Sequence, residues 1–387
     1  MKLNSYPNQF WLLCLSSFFF FGSFNMMIPE LPAILSSLGG GQYKGLIISL
    51  FTITAMLSRP FSGRLADTIG RVPVMIIGSA VCVFCSLLYP VISTISGFLL
   101  LRFFHGFSTG FTPTGFTAYV ADIIPPNKRG EAMGLLSTFG TLGMAGSPAL
   151  GDFIAVHGSI DMMFYGSALL GLFSVLIFLR VRETVKEKQR FHPSHLKIGR
   201  EDLYDPNVFV PCLIMLLTSY SFGAMLTLIP DFSDFLGLSN KGLVFMIFTF
   251  SSVLVRILAG RISDRFGRPA VLKFSIAAIG LGMLVIGFAT APWMLWAGGV
   301  IYGMAYGTNS PTLFAWVTDL GNEQNKGRAF ASLYIALECG IGLGAFCSGF
   351  IYADNTDNFL FAFIACSLLS LFALIFIFFR TKGRSLR

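Results

Sequence analysis

Residues 44–71 read KGLIISLFTITAMLSRPFSGRLADTIGR, and residues 241–268 read KGLVFMIFTFSSVLVRILAGRISDRFGR. The two stretches align at a constant offset of 197 residues, with no insertion between their ends. In each copy an apolar run of helical length ends in a turn rich in Gly, Arg and Asp. A phrase repeated at this distance indicates that the chain consists of two related halves.

The composition excludes an ordinary soluble domain. Apolar residues make up 54% of the chain and charged residues only 12%, whereas about 25% of a typical soluble domain is charged. The mean hydropathy is +0.73. Apolar runs long enough to cross a bilayer recur throughout, and in lipid such runs must be helices because backbone groups have no other partner.

Twelve spans are predicted, so we expect an all-α integral membrane protein built as two six-helix bundles. They lie near residues 8–30, 44–65, 72–93, 95–121, 129–155, 161–181, 207–229, 242–263, 270–290, 292–317, 328–351 and 358–380. The first span is too long for a signal peptide and no small-residue cleavage site follows it, so we expect it to be retained.

The predicted domains are a first bundle over 1–181, a cytoplasmic linker over 182–206, and a second bundle with a basic tail over 207–387. The linker is the one long polar stretch. The repeat also extends beyond the opening phrase, because FGSFNMMIPE (21–30) resembles FGAMLTLIPD (222–231). With six spans in each half, both copies share one orientation, and we expect them to be related by an axis along the membrane normal.

The net charge of +8 is distributed unevenly. Lys and Arg crowd the even-numbered loops and the tail, while the odd-numbered loops hold only Lys44 and Lys241. By the positive-inside rule this asymmetry places both termini in the cytoplasm. The basic charge therefore faces anionic lipid, and no nucleic acid partner is expected. Short loops and the lack of a transit peptide favour a bacterial inner membrane.

The seven cysteines all lie inside apolar spans, where they are expected to be small buried hydrophobes. Cys82 and Cys85 have CxxC spacing, but there is no second pair, so neither a metal site nor any other cofactor is expected.

The turn GRLADTIGR at 63–71 resembles the signature of the loop between spans two and three of the major facilitator superfamily, and GRISDRFGR at 260–268 is its second copy. The resemblance covers nearly the whole chain. Asp67 ends one span, where it can accept from Arg71 or from the amino end of a neighbouring helix. We expect a cytoplasmic latch made of Gly63, Arg64, Asp67, Gly70, Arg71, Asp122, Gly260, Arg261, Asp264, Gly267, Arg268 and Asp319. Asp122 and Asp319 are expected to pair with the basic residues of the adjoining NKRG and NKGR turns.

The fourth span contains LLRFFHGFSTG (100–110), which resembles the superfamily's Arg-containing motif. The resemblance places Arg102 in the membrane interior and implies a role in proton coupling. A charge inside a span is costly and marks a functional site by default. A structural ion pair or snorkelling to the interface remains the alternative. His105 can share the face of Arg102.

The fifth span resembles the efflux-type signature of spaced glycines followed by Pro and a Gly pair. Gly134, Gly143, Ser147, Pro148 and Gly151 occupy its positions, with Ser147 and Asp152 in place of two glycines. Small residues at this spacing let helices pack closely. The resemblance favours an antiporter. Asp152 lies near the outer end of the span, where simple solvation would explain it.

Proton coupling requires a protonatable group inside the protein, and the candidates are Glu30, Asp231, Asp234, Glu338 and Asp152. Glu30, with Asn25 beside it, is expected at the depth of Arg102, and a Glu30–Arg102 pair is the favoured coupling element. The alternative is that Glu30 only caps a helix end in water. Asp231 is the repeat equivalent of Glu30, and Glu338 lies deep in the eleventh span, where an acidic group is costly. Aromatic candidates for an apolar binding surface are Phe24, Tyr119, Tyr220, Tyr306 and Trp316.

We therefore predict a monomeric secondary transporter that works by alternating access and exports small organic compounds in exchange for protons. The chain has no GxxxxGK[ST] sequence, which argues against ATP drive. A proton-coupled uptake symporter is the main alternative. A membrane-embedded enzyme is a remote one, because four scattered His and no HExxH motif offer little catalytic machinery.

Overall fold

The computed structural model describes residues 6–125, 129–185, 189–192, 204–320 and 326–382. Within these ranges the side chains of 129–131, 257–261, 264, 326–328 and 381–382 lie outside the description. Every regular element in the described residues is helical, as the apolar spans predict. The chain divides into two compact units, one of residues 1–30 with 53–199 and the other of residues 31–52 with 200–387.

The first unit contains six α-helices that lie wholly within it. They are α1 (Asn8–Met26), α4 (Arg71–Leu88), α5 (Ile95–His105), α6 (Phe107–Ile123), α7 (Arg129–His157) and α8 (Ile160–Phe178). The long helix α3 (Lys44–Thr68) begins among residues of the second unit and continues into the first.

The second unit contains the short helix α2 (Leu31–Ser37) and the helices of the second half. These are α9 (Phe209–Phe235), α10 (Gly242–Phe266), α11 (Arg268–Gly287), α12 (Pro292–Leu320), α13 (Lys326–Tyr352) and α14 (Phe359–Lys382). Segment 31–52 comes from the first half of the sequence but packs with this unit.

The helices coincide with the predicted spans except in the fourth. There the expected single helix over 95–121 is two helices, α5 and α6, separated by Gly106. Gly106 keeps a right-handed helical backbone, with φ −58° and ψ −27°, so the interruption is confined to one residue. The cap at the start of α5 is Thr94, whose hydroxyl accepts from Gly97 N at 3.2 Å.

Eight helical segments among the described residues are long and apolar enough to cross a membrane. The remaining predicted spans correspond to α5 with α6, α7, α10 and α12. Large apolar side chains are presented on the outside, among them Phe274, Phe350 and Phe379, which are 77%, 66% and 75% exposed. An apolar surface of this kind suits a lipid environment and not water.

The sequence repeat has a structural counterpart in the packing of each unit. In the first, α1 packs against α7 and α8, and α4 packs against α6 and α8. In the second, α9 packs against α13 and α14, and α11 packs against α12 and α14. Helices at equivalent positions in the two units therefore pack against equivalent neighbours. Small and apolar residues recur in both halves of the sequence and allow this packing.

Candidate functional site

The turn that contains the repeated phrase holds a cluster of charges in the first unit. Arg71, the first residue of α4, forms an ion pair with Asp67 at the end of α3. Its Nε also donates to Asp122 Oδ2 at the end of α6, at 3.1 Å. One guanidinium therefore ties three helix ends together. Asp67 accepts from Arg71, which is one of the two partners that the sequence allowed.

Gly70 connects the two helices of this turn and has φ +123°, a backbone conformation that side chains with a Cβ rarely adopt. A Cβ there would also meet the carboxylate of Glu183. Gly63, in contrast, has no neighbouring atom within 4 Å of the position a Cβ would occupy. Of these two glycines of the first copy, Gly70 is required by the backbone, and Gly63 makes no close helix contact.

Glu183, just after α8, completes the cluster although the sequence did not single it out. Its carboxylate accepts from the backbone N–H groups of Arg71 and Val72, each at 3.0 Å. These are orphan donors of the first turn of α4, and a negative charge there also complements the helix dipole. The next residue, Thr184, donates its hydroxyl to Asp122 Oδ2 at 2.6 Å. The first residues after Arg182 therefore belong to the same cluster of contacts as Arg71 and Asp122.

The second copy of the turn repeats the central contact. Arg268 Nε donates to Asp319 Oδ2 at 2.9 Å, and Arg268 Nη1 donates to the buried Ser263 Oγ at 2.8 Å. Gly267 has φ +85°, so it shares the requirement seen at Gly70. The side chains at Gly260, Arg261 and Asp264 lie outside the described residues.

The expected partners of Asp122 and Asp319 were the basic residues of the neighbouring turns. The structure shows Asp122 bonded to Arg71 at the start of α4, and Asp319 bonded to Arg268 at the start of α11. The basic residues of the NKRG and NKGR turns lie outside the described side chains.

A second cluster lies inside the first unit, around Arg102. Arg102 is 1% exposed and its Nη1 donates to Tyr89 Oη at 3.4 Å. The guanidinium therefore does not snorkel to solvent. Tyr89 Oη also lies 3.4 Å from His105 Nδ1, and His105 Nε2 lies 3.2 Å from Cys82 Sγ. Four polar side chains from α4, α5 and the turn after α4 thus form one buried chain of contacts.

This chain continues toward α1 and α8 through hydroxyl groups. Cys82 Sγ lies 3.3 Å from Ser23 Oγ, which donates to Ser167 O at 2.7 Å. Ser167 Oγ in turn lies 3.0 Å from Ser86 Oγ. The helices that carry these groups pack directly, so each hydroxyl finds a partner without water, as buried polar groups require.

No sequence pattern places a histidine near Cys82, yet the fold brings His105 to it. The described residues nevertheless contain no group of three or more His, Cys, Asp or Glu side chains that could hold a metal ion. All seven cysteines are free thiols, five of them buried and two, Cys339 and Cys347, partly exposed.

Glu30 and Asn25 lie at the end of the first span, and both are buried, with 7% and 4% exposure. Glu30 is therefore not a cap in open water. Asn25 Nδ2 donates to Phe21 O at 2.8 Å, so its amide is used within its own helix. The Glu30–Arg102 pair stays a prediction.

Asp231, the repeat equivalent of Glu30, has a defined partner in the second unit. It forms an ion pair with Lys44, whose side chain is 7% exposed. Lys44 Nζ also donates to Asp354 Oδ1 at 2.6 Å, and it lies 5.4 Å from the centre of the Tyr352 ring. Lys44 was visible in the sequence as one of two cations in odd-numbered loops, but its partners were not.

The backbone helps to bring Asp354 to Lys44. Ala353 and Asp354, after α13, have φ values of +48° and +58°, which are uncommon for residues other than glycine. On the neighbouring face, a Cβ on Gly45 would meet the backbone of α13 at Phe346 O, 3.0 Å away. The close approach of α3 to α13 within this unit is what buries the lysine.

Glu338 lies on α13 in the interior of the second unit and is 8% exposed. Glu338 and Arg256 both lie close enough to Tyr306 to interact with it electrostatically. Tyr306 stacks on Phe222, with ring centroids 5.1 Å apart, and its ring centroid lies 5.8 Å from that of Tyr302. Tyr306, an aromatic candidate from the sequence, thus belongs to an aromatic stack that lies near an acid and an arginine.

Tyr119 was another aromatic candidate, but its hydroxyl donates to Arg182 O at 2.7 Å, near the start of the linker. The Tyr119 residue is 1% exposed. Tyr119 therefore serves to attach the linker to α6.

The efflux-like face of α7 packs against α1. Cβ atoms on Gly143 and Gly151 would collide with the backbone of α1 at Phe18 and Met26, whereas Gly134 has no neighbour within 4 Å. Ser147 is buried and faces Gly22 of α1. Gly143 and Gly151 therefore allow the backbones of α7 and α1 to pack closely, whereas no atom packs closely against Gly134.

Asp152 on the same helix is 1% exposed, so the expectation of a solvated carboxylate is wrong. The fold covers this side chain although it lies close to the end of α7, because neighbouring helices pack over it.

Comparison with known proteins agrees with this architecture. A family model described as Major Facilitator Superfamily matches residues 13–243 and 212–387. The chain is 27% identical to Multidrug resistance protein 2 of Bacillus subtilis (strain 168) over 71% of this chain and 72% of that protein. It is 28% identical to Multidrug resistance protein MdtG of Serratia proteamaculans (strain 568), over 85% and 84% of the two chains.

Solved structures share the fold at low sequence identity. The human organic anion transporter MFSD10 (TETRAN) superposes with a TM-score of 0.74 at 20% identity, covering 96% of this chain and 100% of that one. A mutant of the peptide transporter POT in complex with sulfate superposes with a TM-score of 0.80 at 14% identity, covering 98% and 96%. The repeated turns, the helical units and the family match together show that this multi-pass membrane protein belongs to the Major Facilitator Superfamily and is a secondary transporter of small molecules.

Proposed function

We propose that this transporter exports small organic compounds in exchange for protons, by alternating access. The observation that carries the proposal is the burial of ionisable side chains within spans of both units: Arg102 at 1%, Glu30 at 7% and Glu338 at 8% exposure. Charges inside a membrane protein are costly and mark ion or substrate pathways. Relatives named multidrug resistance proteins and the efflux-like α7 support export.

Coupling would use Glu30 and Arg102 in the first unit and Asp231 and Glu338 in the second. A carboxylate beside a cation favours its charged form, and a carboxyl group without that cation binds a proton more readily. Because Tyr89 contacts both side chains, a change in the position of Arg102 would be transmitted to His105 through the Tyr89 hydroxyl. Protonation of Asp231 would weaken its bond to Lys44, since an ion pair would become a neutral contact.

The two latches would hold the inner ends of the helices in each unit while the substrate sites change accessibility. Both termini and the linker would face the cytoplasm of a bacterial inner membrane, and the chain would act as a monomer.

The test is efflux from proteoliposomes under an imposed pH gradient, with ethidium as a first probe within a panel of organic compounds. Glu30→Gln and Arg102→Ala should each abolish pH-driven transport. Asp161→Asn and Arg180→Ala are matched controls, because both residues are exposed. Full pH-driven transport by both Glu30→Gln and Arg102→Ala would refute the coupling assignment.

The direction of flux separates export from the uptake alternative. A proton antiporter moves the probe in the direction opposite to the downhill flow of protons, whereas a symporter moves the probe in the same direction as the protons. Accumulation of the probe on the side to which protons flow would overturn the proposal of export.

A further inference from the structure

The carboxyl group of Asp152 is the most anomalous polar group in the first unit. It lies on α7, five residues before the end of that helix, and it is 1% exposed. Neither Oδ1 nor Oδ2 has a hydrogen-bond partner among the described residues. Among the described residues of α7, Ser147 Oγ is also buried without a hydrogen-bond partner. Ser147 is the other residue that replaces a glycine of the efflux-type signature.

A structural carboxylate in this protein looks different. Glu183 accepts four backbone N–H bonds at 2.9–3.1 Å, from Arg71, Val72, Thr184 and Val185. Asp152 caps no helix and closes no ion pair in the described structure. Leaving a buried carboxylate uncompensated is costlier than leaving a neutral polar group without a partner.

No described cation is hydrogen-bonded to the Asp152 carboxyl group. The helices that pack against α7 are α1, α6 and α8. The described titratable groups on these helices are Cys14 on α1, Tyr119 and Asp122 at the inner end of α6, and Asp161 and Tyr165 on α8. The segments next to them add Tyr6 and Glu30 at the two ends of α1, Arg102 and His105 before α6, and Arg180, Arg182 and Glu183 after α8. On α7 itself, His157 is exposed and its Nδ1 lies 3.0 Å from Phe153 O. Nearby acids would only add to the cost of a second negative charge.

We propose that Asp152 is a proton-binding site of the transport cycle. It holds one proton as the neutral acid in the conformation of this structure, and it releases that proton to water when transport exposes this face of α7. Proton uptake on one side and release on the other involve no other reactant. The inference rests on the proposed proton-coupled export and adds a carboxyl group to its candidate coupling residues.

Infrared spectroscopy of the purified, lipid-reconstituted protein tests the site without any substrate. A protonated carboxyl group in an apolar setting gives a distinct carbonyl stretching band. That band should be present at neutral pH in the wild type and in the control Asp161→Asn, and absent in Asp152→Asn. The amide is close in shape to the neutral acid, so the variant should fold. If it does not, Asp152→Glu should keep a displaced band.

A transport experiment asks whether the proton is used. With ethidium as the probe, Asp152→Asn should lose pH-driven efflux but keep exchange of labelled for unlabelled probe, because exchange needs no net proton movement. Identical infrared spectra of wild type and Asp152→Asn, or full pH-driven efflux by that variant, would overturn the assignment. If the wild type itself showed no pH-driven transport, the proposed function would fall, while the infrared band would still decide whether Asp152 binds the proton.

Discussion

The buried lysine of the second unit allows a quantitative prediction. In Lys44→Met, Asp231 keeps its buried position, with a side chain only 12% exposed, but loses its counter-charge. Removing one partner of a buried ion pair costs about 3–5 kcal/mol. A charge pair about 4 Å apart at an effective dielectric constant of about 20 gives a Coulomb energy of about 4 kcal/mol, which is consistent. We therefore expect Lys44→Met to lower the free energy of unfolding by about 3–5 kcal/mol.

The chain contains a matched control at the repeat-equivalent position. Lys241 Nζ lies 3.1 Å from Asp234 Oδ2, but the Asp234 side chain is 51% exposed. Water already solvates that pair, so Lys241→Met should cost only about 0–1 kcal/mol. The same range is expected for Asp354→Asn, because the Asp354 side chain is 44% exposed.

The measurement is unfolding of the purified protein in mixed micelles by titration with sodium dodecyl sulfate, followed by tryptophan fluorescence. Lys44→Met combined with Asp231→Asn should be less destabilised than Lys44→Met alone, since no buried charge is left unpaired. Equal costs for Lys44→Met and Lys241→Met would refute the argument from burial. So would a double variant whose cost equals the sum of the two single costs.

Three further predictions concern the first unit. Glu183→Ala should lower the free energy of unfolding by about 1–2 kcal/mol, because the first turn of α4 loses its cap; denaturant titration measures this. Gly151→Val should abolish folded, monodisperse protein on gel filtration, because its side chain would enter the backbone of α1, whereas Gly134→Val should be tolerated. Tyr89→Phe should reduce pH-driven transport with a stability loss of about 1 kcal/mol, because the ring still packs but the Arg102 contact is lost; Tyr165→Phe, at an exposed position, should change neither.

Each of these predictions has an opposing outcome. A Glu183→Ala protein as stable as the wild type would mean that other acceptors or water replace the cap. Equal yields of monodisperse protein from the two glycine variants on gel filtration would mean that α1 and α7 can separate without loss of the fold. Wild-type transport by Tyr89→Phe would show that the hydroxyl does not position Arg102 for coupling.

Much of the fold could be predicted from the sequence because hydropathy and turn chemistry are local signals. A run of apolar residues longer than the bilayer core must be a helix in lipid, whatever its neighbours are. The ends of α3 and α4 follow from the turn at Gly70, and the Asp67–Arg71 bond joins residues four apart. The interruption at Gly106 was missed because it leaves the hydropathy of the span unchanged.

The candidate sites were less predictable, since the depth of a residue in a span does not tell which face it occupies. Asp152 was expected to be solvated, yet helix packing covers it. Asp231 was recognised as a candidate from the repeat, but its partner Lys44 lies 187 residues away in sequence.

The order of residues alone was enough to establish that this protein has two related helical halves, where their spans lie, and which turns hold the repeated charges. These properties depend on short stretches of chain and on the cost of exposing the backbone to lipid. Helix packing was needed to establish that Tyr89 contacts Arg102, that Glu183 caps α4, and that Lys44 is buried against Asp231. Such contacts join segments that are separate in sequence, so they exist only once the helices have packed and their relative rotation is set.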